Sequence, residues 1–374
     1  MVRCVWDDLV GQDQAASYLR ASVESGRMSH AYLFVGPPGA GKKTAARAFA
    51  CALFCDDNGC GGCPTCYRIR RGQHPDVHII APEGAATYRV EQVRDIIHDT
   101  NLAPIEGPHK LYILEDAGSF NEPSANAFLK TLEEPPSDTI IILLAHSFEA
   151  VQPTIISRCQ VVRFRRLAPE LAIALLVEQT GANREEAIAA LAASGGVVAR
   201  ARAFLESTSR RAARDTILVA LARLGTMDDL DVLDAARDLL AAVRAPLDDV
   251  KAGQAAELKE SEEFLGRVPT RAVEERHKRE LTSAEREGIA EVLNVAESWL
   301  RDCLVLSEGA PELVLNADAM DAMEPLAAVI TPAAASTALA AVKEARRRIS
   351  YNVSPQLAVE AMLFDIREVL RCPR

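Results

Sequence analysis

No stretch of the chain is an uninterrupted apolar run of membrane-spanning length, and a helix needs about 20 such residues to cross a bilayer. The first thirty residues include the acids Asp7 and Asp8 and no secretion signal. These absences argue against a spanning helix and an exported fold, so a soluble, cytoplasmic protein with no membrane partner is expected. Positive charge is also in deficit, with 42 Lys and Arg against 53 Asp and Glu and a formal net charge of −11. Such a surface repels polyanions at long range, so tight autonomous DNA binding is not the first expectation, although one domain can still carry a local basic face. Internal repeats are missing, and no Pro-rich tail follows the last helical pattern.

The chain has 374 residues, 49% of them hydrophobic and 25% charged, enough for two or three domains. From about residue 10 to 165, amphipathic helical stretches alternate with short apolar runs bounded by Gly, Pro or Asp. The runs are Ala31 to Val35, Val77 to Ile80, Leu111 to Leu114, Ile140 to Leu144 and Val161 to Phe164. Continuous apolar runs separated by helices predict a parallel, doubly wound sheet. After Leu167 strand signals stop, and a helix start is expected at Ala168-Pro169-Glu170. The expected organisation is α/β: a P-loop domain over 1–167, a small helical domain over 168–207, and an all-helical bundle over 208–374. The bundle carries a highly charged stretch from Glu257 to Arg286, with a break or loop expected at Gly266, Pro269 and Thr270. Apolar positions at Ile289, Val292, Leu293, Val295, Ala296, Leu300 and Leu304 follow at helical spacing.

The first apolar run leads into Gly36-Pro37-Pro38-Gly39-Ala40-Gly41-Lys42-Lys43, and helix formers follow from Ala45 to Ala50. Strand, glycine-rich loop and helix are the context a phosphate-binding loop requires. Glycines let backbone N–H groups converge on phosphate oxygens, the helix N-terminus adds positive potential, and Lys42 would reach the β and γ phosphates. The next position should hold Ser or Thr for Mg²⁺, and here it is Lys43. Thr44 is no substitute, because one residue along a helix rotates the side chain by about 100°. Nucleotide binding that is weak, metal-poor or absent is expected, with ATP and Mg²⁺ both in question; the alternative is a loop kept only for its fold.

Five of the nine cysteines crowd into residues 51–66, which in a cytosolic chain favours a metal over disulfides. Cys55, Cys60, Cys63 and Cys66 are spaced by five, three and three positions, with Gly59, Gly61, Gly62 and Pro64 supplying turns. Four thiolates so spaced can close a tetrahedral shell around structural Zn²⁺. Cys51 lies one helical turn earlier and is expected in the core, and His74, His78 and His98 show no metal spacing.

The run Leu111 to Leu114 ends in Glu115-Asp116-Ala117-Gly118, where adjacent acids can organise Mg²⁺ and polarise water, or cap the following helix. Beyond lie Asn126-Ala127-Phe128-Leu129-Lys130-Thr131-Leu132-Glu133-Glu134-Pro135-Pro136 and Ser157-Arg158-Cys159; Gly11-Gln12 and His30 to Phe34 precede the loop. Taken together, these motifs resemble the AAA+ clamp-loader subunits of bacterial DNA polymerase III, strongly over about residues 5–167 and more loosely beyond. The resemblance implies a AAA+ domain with the zinc insertion at about 55–66, a helical lid, and a C-terminal collar that joins neighbouring subunits. It also implies that Arg158 is presented to ATP held by an adjacent subunit; the structural alternative is an arginine paired with a carboxylate of its own chain. Arg163, Arg165 and Arg166 lie near enough to assist. The family's acid pair is Asp then Glu, followed by Ala-Asp, so this chain inverts the order and lacks the last acid. Shifts of about an ångström in such groups can lower a rate by ~10²-fold.

Altered Lys43 and acids beside an intact Arg158 therefore predict a non-motor subunit, and the absence of a long tail beyond the bundle agrees. The partners implied are the ATPase (tau/gamma) subunits and the delta subunit, with the sliding clamp and primed DNA reached through the assembled complex. The family's lid often carries a sensor arginine, for which Arg200 and Arg202 are candidates without an assignment. In the collar, Trp299-Leu300-Arg301-Asp302 can serve contacts, although a helix stripe is more often core. Two readings compete: an active AAA+ ATPase that tolerates Lys43, and a zinc-dependent nucleic-acid module built on the cysteines with Arg68, Arg70 and Arg71.

Overall fold

The computed structural model describes residues 4–82, 87–265, 271–351 and 353–371. The chain divides into two compact units, Met1–Ala168 and Pro169–Arg374. In the first, the order is α1 (Asp13–Glu24), β1 (Ala31–Val35), α2 (Lys42–Phe54), α3 (Pro64–Arg70), β2 (Val77–Ile80), α4 (Val90–Thr100), β3 (Lys110–Leu114), α5 (Glu122–Glu133), β4 (Thr139–Ala145), α6 (Pro153–Ile156) and β5 (Gln160–Arg163). The five strands form one parallel sheet in the order β2-β3-β4-β1-β5. Every residue of β1, β3 and β4 is buried, as a parallel sheet covered by helices on both faces requires.

Alternation along the strands feeds two cores. Tyr32 and Phe34 of β1 pack with Leu19, Phe49 and Ile69 on one face, beneath α1, α2 and α3. Ala31, Leu33 and Val35 pack on the other face with Val93, Phe128 and Ile155, beneath α4, α5 and α6. Each large apolar side chain so buried is worth about 1.5–3 kcal/mol.

Parallel strands present their carboxyl ends along one edge of the sheet. Because β4 lies between β1 and β3, the loop after β1 and the acids after β3 emerge close together on that edge. Gly36 is fixed there by crowding: a Cβ on it would lie 2.4 Å from the Phe164 carbonyl oxygen.

The second unit is all helical: α7 (Pro169–Thr180), α8 (Arg184–Ala193), α9 (Val198–Glu206), α10 (Thr208–Arg223), α11 (Asp229–Leu265), α12 (Arg271–Ser307), α13 (Met320–Ala327), α14 (Pro332–Ser350) and α15 (Pro355–Arg371). One continuous hydrophobic core runs through it, including Leu176, Phe204, Leu239, Trp299, Val342 and Leu363. Alanines such as Ala187, Ala190, Ala335 and Ala338 supply much of the buried surface and let helices approach closely. Gly288 serves the same end, since a Cβ there would lie 2.9 Å from Val243 Cγ1. The break expected at Gly266, Pro269 and Thr270 lies outside the described residues, between α11 and α12.

Candidate phosphate, arginine and metal sites

The glycine-rich loop turns through left-handed backbone at Gly39 (φ 74°) and Gly41 (φ 83°), conformations that glycine adopts without a Cβ penalty. Gly41 caps α2, so Lys42 and Lys43 open the helix. Lys42 is only 8% exposed. Its ammonium donates to the carbonyl oxygens of Gly36 and of Pro37, the latter at 2.8 Å, and burial lowers its pKa to about 8. Lys43 points elsewhere and forms an ion pair with Glu115. Thr44 does not join them: with Val5, Asp8, Arg47, Cys51 and Arg70 it lines a separate pocket of about 220 Å³.

Glu115 extends the pairing of β3, donating its N–H to the Ile80 carbonyl at 2.8 Å, while its own carbonyl accepts from the Tyr88 hydroxyl at 2.6 Å. Asp116 sits in left-handed backbone (φ 53°), unusual for a residue other than glycine. It caps no helix N–H through its side chain; its carboxylate accepts from the Ser119 hydroxyl at 2.5 Å. Gly118, where the family carries an acid, faces Ala150, whose Cβ would lie 3.0 Å from a Cβ at 118. A side chain there has little room.

Arg158 follows the short helix α6, just before β5. Its Nε donates to Glu133 Oε1 at 2.6 Å, and its Nη1 to the Thr154 carbonyl at 2.9 Å and the Ser157 hydroxyl at 3.1 Å. The pair with Glu133 is part-exposed, the arginine side chain at 31%. Pairing with a carboxylate of its own chain is thus present. Glu133 is the residue that sequence reasoning missed here; the end of α5 ahead of Pro135-Pro136 was its one signal. Of the possible assistants, Arg163 lies over the Phe148 ring at 5.0 Å. The backbone of Arg165 is held by the Gln12 side chain at 2.6 and 3.1 Å.

The four cysteines between α2 and α3 converge. The ligand atoms of Cys55, Cys60, Cys63 and Cys66 all lie within 4.8 Å of one another, with Sγ–Sγ separations of 3.7 Å for Cys55–Cys60 and 3.6 Å for Cys55–Cys63. A tetrahedron with bonds of about 2.3 Å requires sulfurs about 3.8 Å apart, so this cluster fits a metal ion. Burial opposes ionisation of Cys55, but hydrogen bonds from the backbone of Cys60, Asp57 and Gly59 bring its pKa down to about 7. Left-handed backbone at Asn58, Gly59 and Gly61 folds the loop around the cluster. Cys51 stays outside, fully buried, its thiol pushed up to about 11 by burial. Of the nearby arginines, Arg68 pairs with Glu106 and Arg70 with Asp8, while Arg71 stacks over Tyr67. Neutralising two of the three leaves little of the basic face a nucleic-acid module would need.

The sequence family described as "DNA polymerase III, delta subunit" matches residues 11–168. A DNA polymerase III subunit delta' of Bacillus subtilis is 37% identical over 171 residues, which are 45% of this chain and 52% of that protein. The subunit delta' of Pseudomonas aeruginosa is 37% identical over 162 residues, 42% of this chain and 45% of that protein. A subunit gamma/tau of Mycobacterium tuberculosis is 32% identical over 249 residues, 64% of this chain and 43% of that protein. Over this region the chain is similar to the delta' and gamma/tau subunits of DNA polymerase III. It spans about half the length of the curated relatives it matches. The fold is α/β, a parallel five-stranded sheet with a glycine-rich loop after its first strand, followed by an all-helical unit.

The sensor candidates are engaged locally, Arg200 with Glu287 at 3.4 Å and Arg202 with Glu206 at 3.7 Å. Trp299 and Leu300 are fully buried core. Asp302 is buried too, and accepts from the N–H groups of Leu315 (3.0 Å) and Asn316 (2.8 Å) and from the Asn316 amide (2.9 Å). No single helix among the described residues is long and apolar enough to cross a membrane.

Proposed function

We propose that the protein is a cytoplasmic, delta-prime-like clamp-loader subunit that does not hydrolyse ATP itself. It braces the loader ring and offers Arg158 to ATP on a neighbouring tau/gamma subunit, in a complex with the delta subunit that loads the sliding clamp onto primed DNA. Within the helical unit, residues 168–207 act as the lid and 208–374 as the collar. Zn²⁺ held by Cys55, Cys60, Cys63 and Cys66 is structural: four protein thiolates leave no open coordination position.

One observation carries the reading: Lys43, at the position of the metal-binding hydroxyl, is tied to Glu115. Asp116, at the position of the water-polarising acid, takes the Ser119 hydroxyl instead. Arg158 remains part-exposed, and trading the Glu133 carboxylate for a phosphate exchanges one anionic acceptor for another. In loader assembled from this chain and its partners, Arg158→Ala should remove the adjoining site's share of DNA-stimulated ATPase, a loss of about 10³-fold or more at that site, while assembly persists. Unchanged turnover in the assembled complex would sink the proposal.

A second reading, an ATP-hydrolysing motor subunit, is favoured by the longer match to the gamma/tau relative, 249 residues against 171. It predicts Mg²⁺-dependent turnover by the purified chain that Lys42→Ala abolishes.

A further inference from the structure

A P-loop site grips magnesium from two protein positions, the hydroxyl after the loop lysine and the acid at the end of the neighbouring strand, and the ion bridges them to the β and γ phosphate oxygens. In this chain those positions are Lys43 and Glu115, and they are bonded to each other. The pair is not sealed off, with 46% of the Lys43 side chain and 28% of the Glu115 side chain exposed. An ammonium has three N–H donors and no acceptor, and Glu115 is the only ion-pair partner of Lys43 among the described residues. Donors therefore remain on Lys43 for further anionic oxygens.

We propose that Lys43 is a built-in cation standing where the metal would, so that the loop takes the polyphosphate chain of a nucleotide free of Mg²⁺. This rests on reading Gly36 to Lys43 as the phosphate loop of a non-motor subunit. The ammonium bridges Glu115 and the terminal phosphate oxygens, as the ion does elsewhere, but brings one positive charge and no coordination geometry. Magnesium needs near-octahedral oxygen ligands at about 2.0–2.1 Å, and an ammonium in its place supplies none and repels it. A nucleotide already chelated by Mg²⁺ brings a second cation against Lys43. The sign of the metal effect is thereby reversed from that of an ordinary ATPase: Mg²⁺ weakens binding.

The test is calorimetric titration of the full chain with ATP, once in EDTA and once in excess Mg²⁺, with Lys43→Thr and Lys42→Ala alongside. Binding about tenfold tighter in EDTA is expected, a difference of about 1.4 kcal/mol. Lys43→Thr should reverse the preference, and Lys42→Ala should abolish binding in both buffers. Lys43 is surface-exposed, so its variant is expected to fold, which circular dichroism would verify. Absence of ATP binding in EDTA, tighter binding with Mg²⁺ in the parent chain, or a Lys43→Thr variant that keeps the parent preference would each overturn the inference. Such results leave the role of Arg158 untouched, whereas Mg²⁺-dependent hydrolysis by the isolated chain would overturn the non-motor reading as well.

Discussion

Asp76 shows how much a single residue can do without announcing itself. Its side chain is fully buried just before β2 and accepts from the N–H groups of Ile105 (2.6 Å), Glu106 (2.8 Å) and Gly107 (2.8 Å). Burial alone would raise its pKa, but these three donors outweigh burial and hold it below the ordinary value. A folded-state pKa below the unfolded value of about 3.9 gives stability that is present above that pH and lost as pH falls through the folded value. Asp76→Asn should destabilise the protein by about 2 kcal/mol at pH 7, measured by urea unfolding, and the difference from the parent should shrink below about pH 4. In the sequence this residue reads as one more turn acid after Pro75. The cysteines were legible because ligand spacing is local. The bond between Lys43 and Glu115 was not, because it depends on β4 separating β1 from β3.

Among the elements, the strands were the most legible, since a buried parallel strand writes itself as an apolar run. β1 and β2 fall where the runs do, while β3 begins one residue early at Lys110 and β4 adds Thr139 and Ala145. These added residues are buried, and the polar ones have partners: the Lys110 ammonium donates to the Asp99 carbonyl at 2.9 Å. The insertion between α2 and α3 reaches further than its cysteines suggested. Val5 donates its N–H to the Gly59 carbonyl at 3.1 Å, so the turn at Val5–Asp8 leans on the four-cysteine loop. Metal analysis should find one zinc per chain. Its removal by a strong chelator should expose the amides of residues 55–66 to hydrogen exchange, because ligand binding is coupled to folding of such loops, and the Val5–Asp8 turn should loosen with them. Unchanged exchange after verified metal loss would argue against a structural ion.

For the molecule as a whole, each unit carries its own core, and the helical one was the harder to read. Its alanine-rich helices give a weak amphipathic signal, but the stripe Ile289, Val292, Leu293, Val295, Ala296 and Leu300 read from the sequence does lie in its core. Trp299 is the largest buried side chain there, and Trp299→Ala should cost about 3–5 kcal/mol, seen as a lowered thermal midpoint. In the first unit, Phe49→Ala should cost about as much, since Phe49 on α2 is fully buried against Tyr32 of β1. The net charge of −11 predicts little affinity of the isolated chain for DNA at physiological salt.

The central claim is that this subunit supplies an arginine to chemistry performed elsewhere. Its most direct test is the DNA-stimulated ATPase of a reconstituted loader carrying, in this chain alone, either Arg158→Ala or Lys42→Ala. The account predicts that Arg158→Ala cuts turnover while Lys42→Ala leaves it within about twofold of the parent. Loss of turnover with Lys42→Ala and none with Arg158→Ala would contradict it.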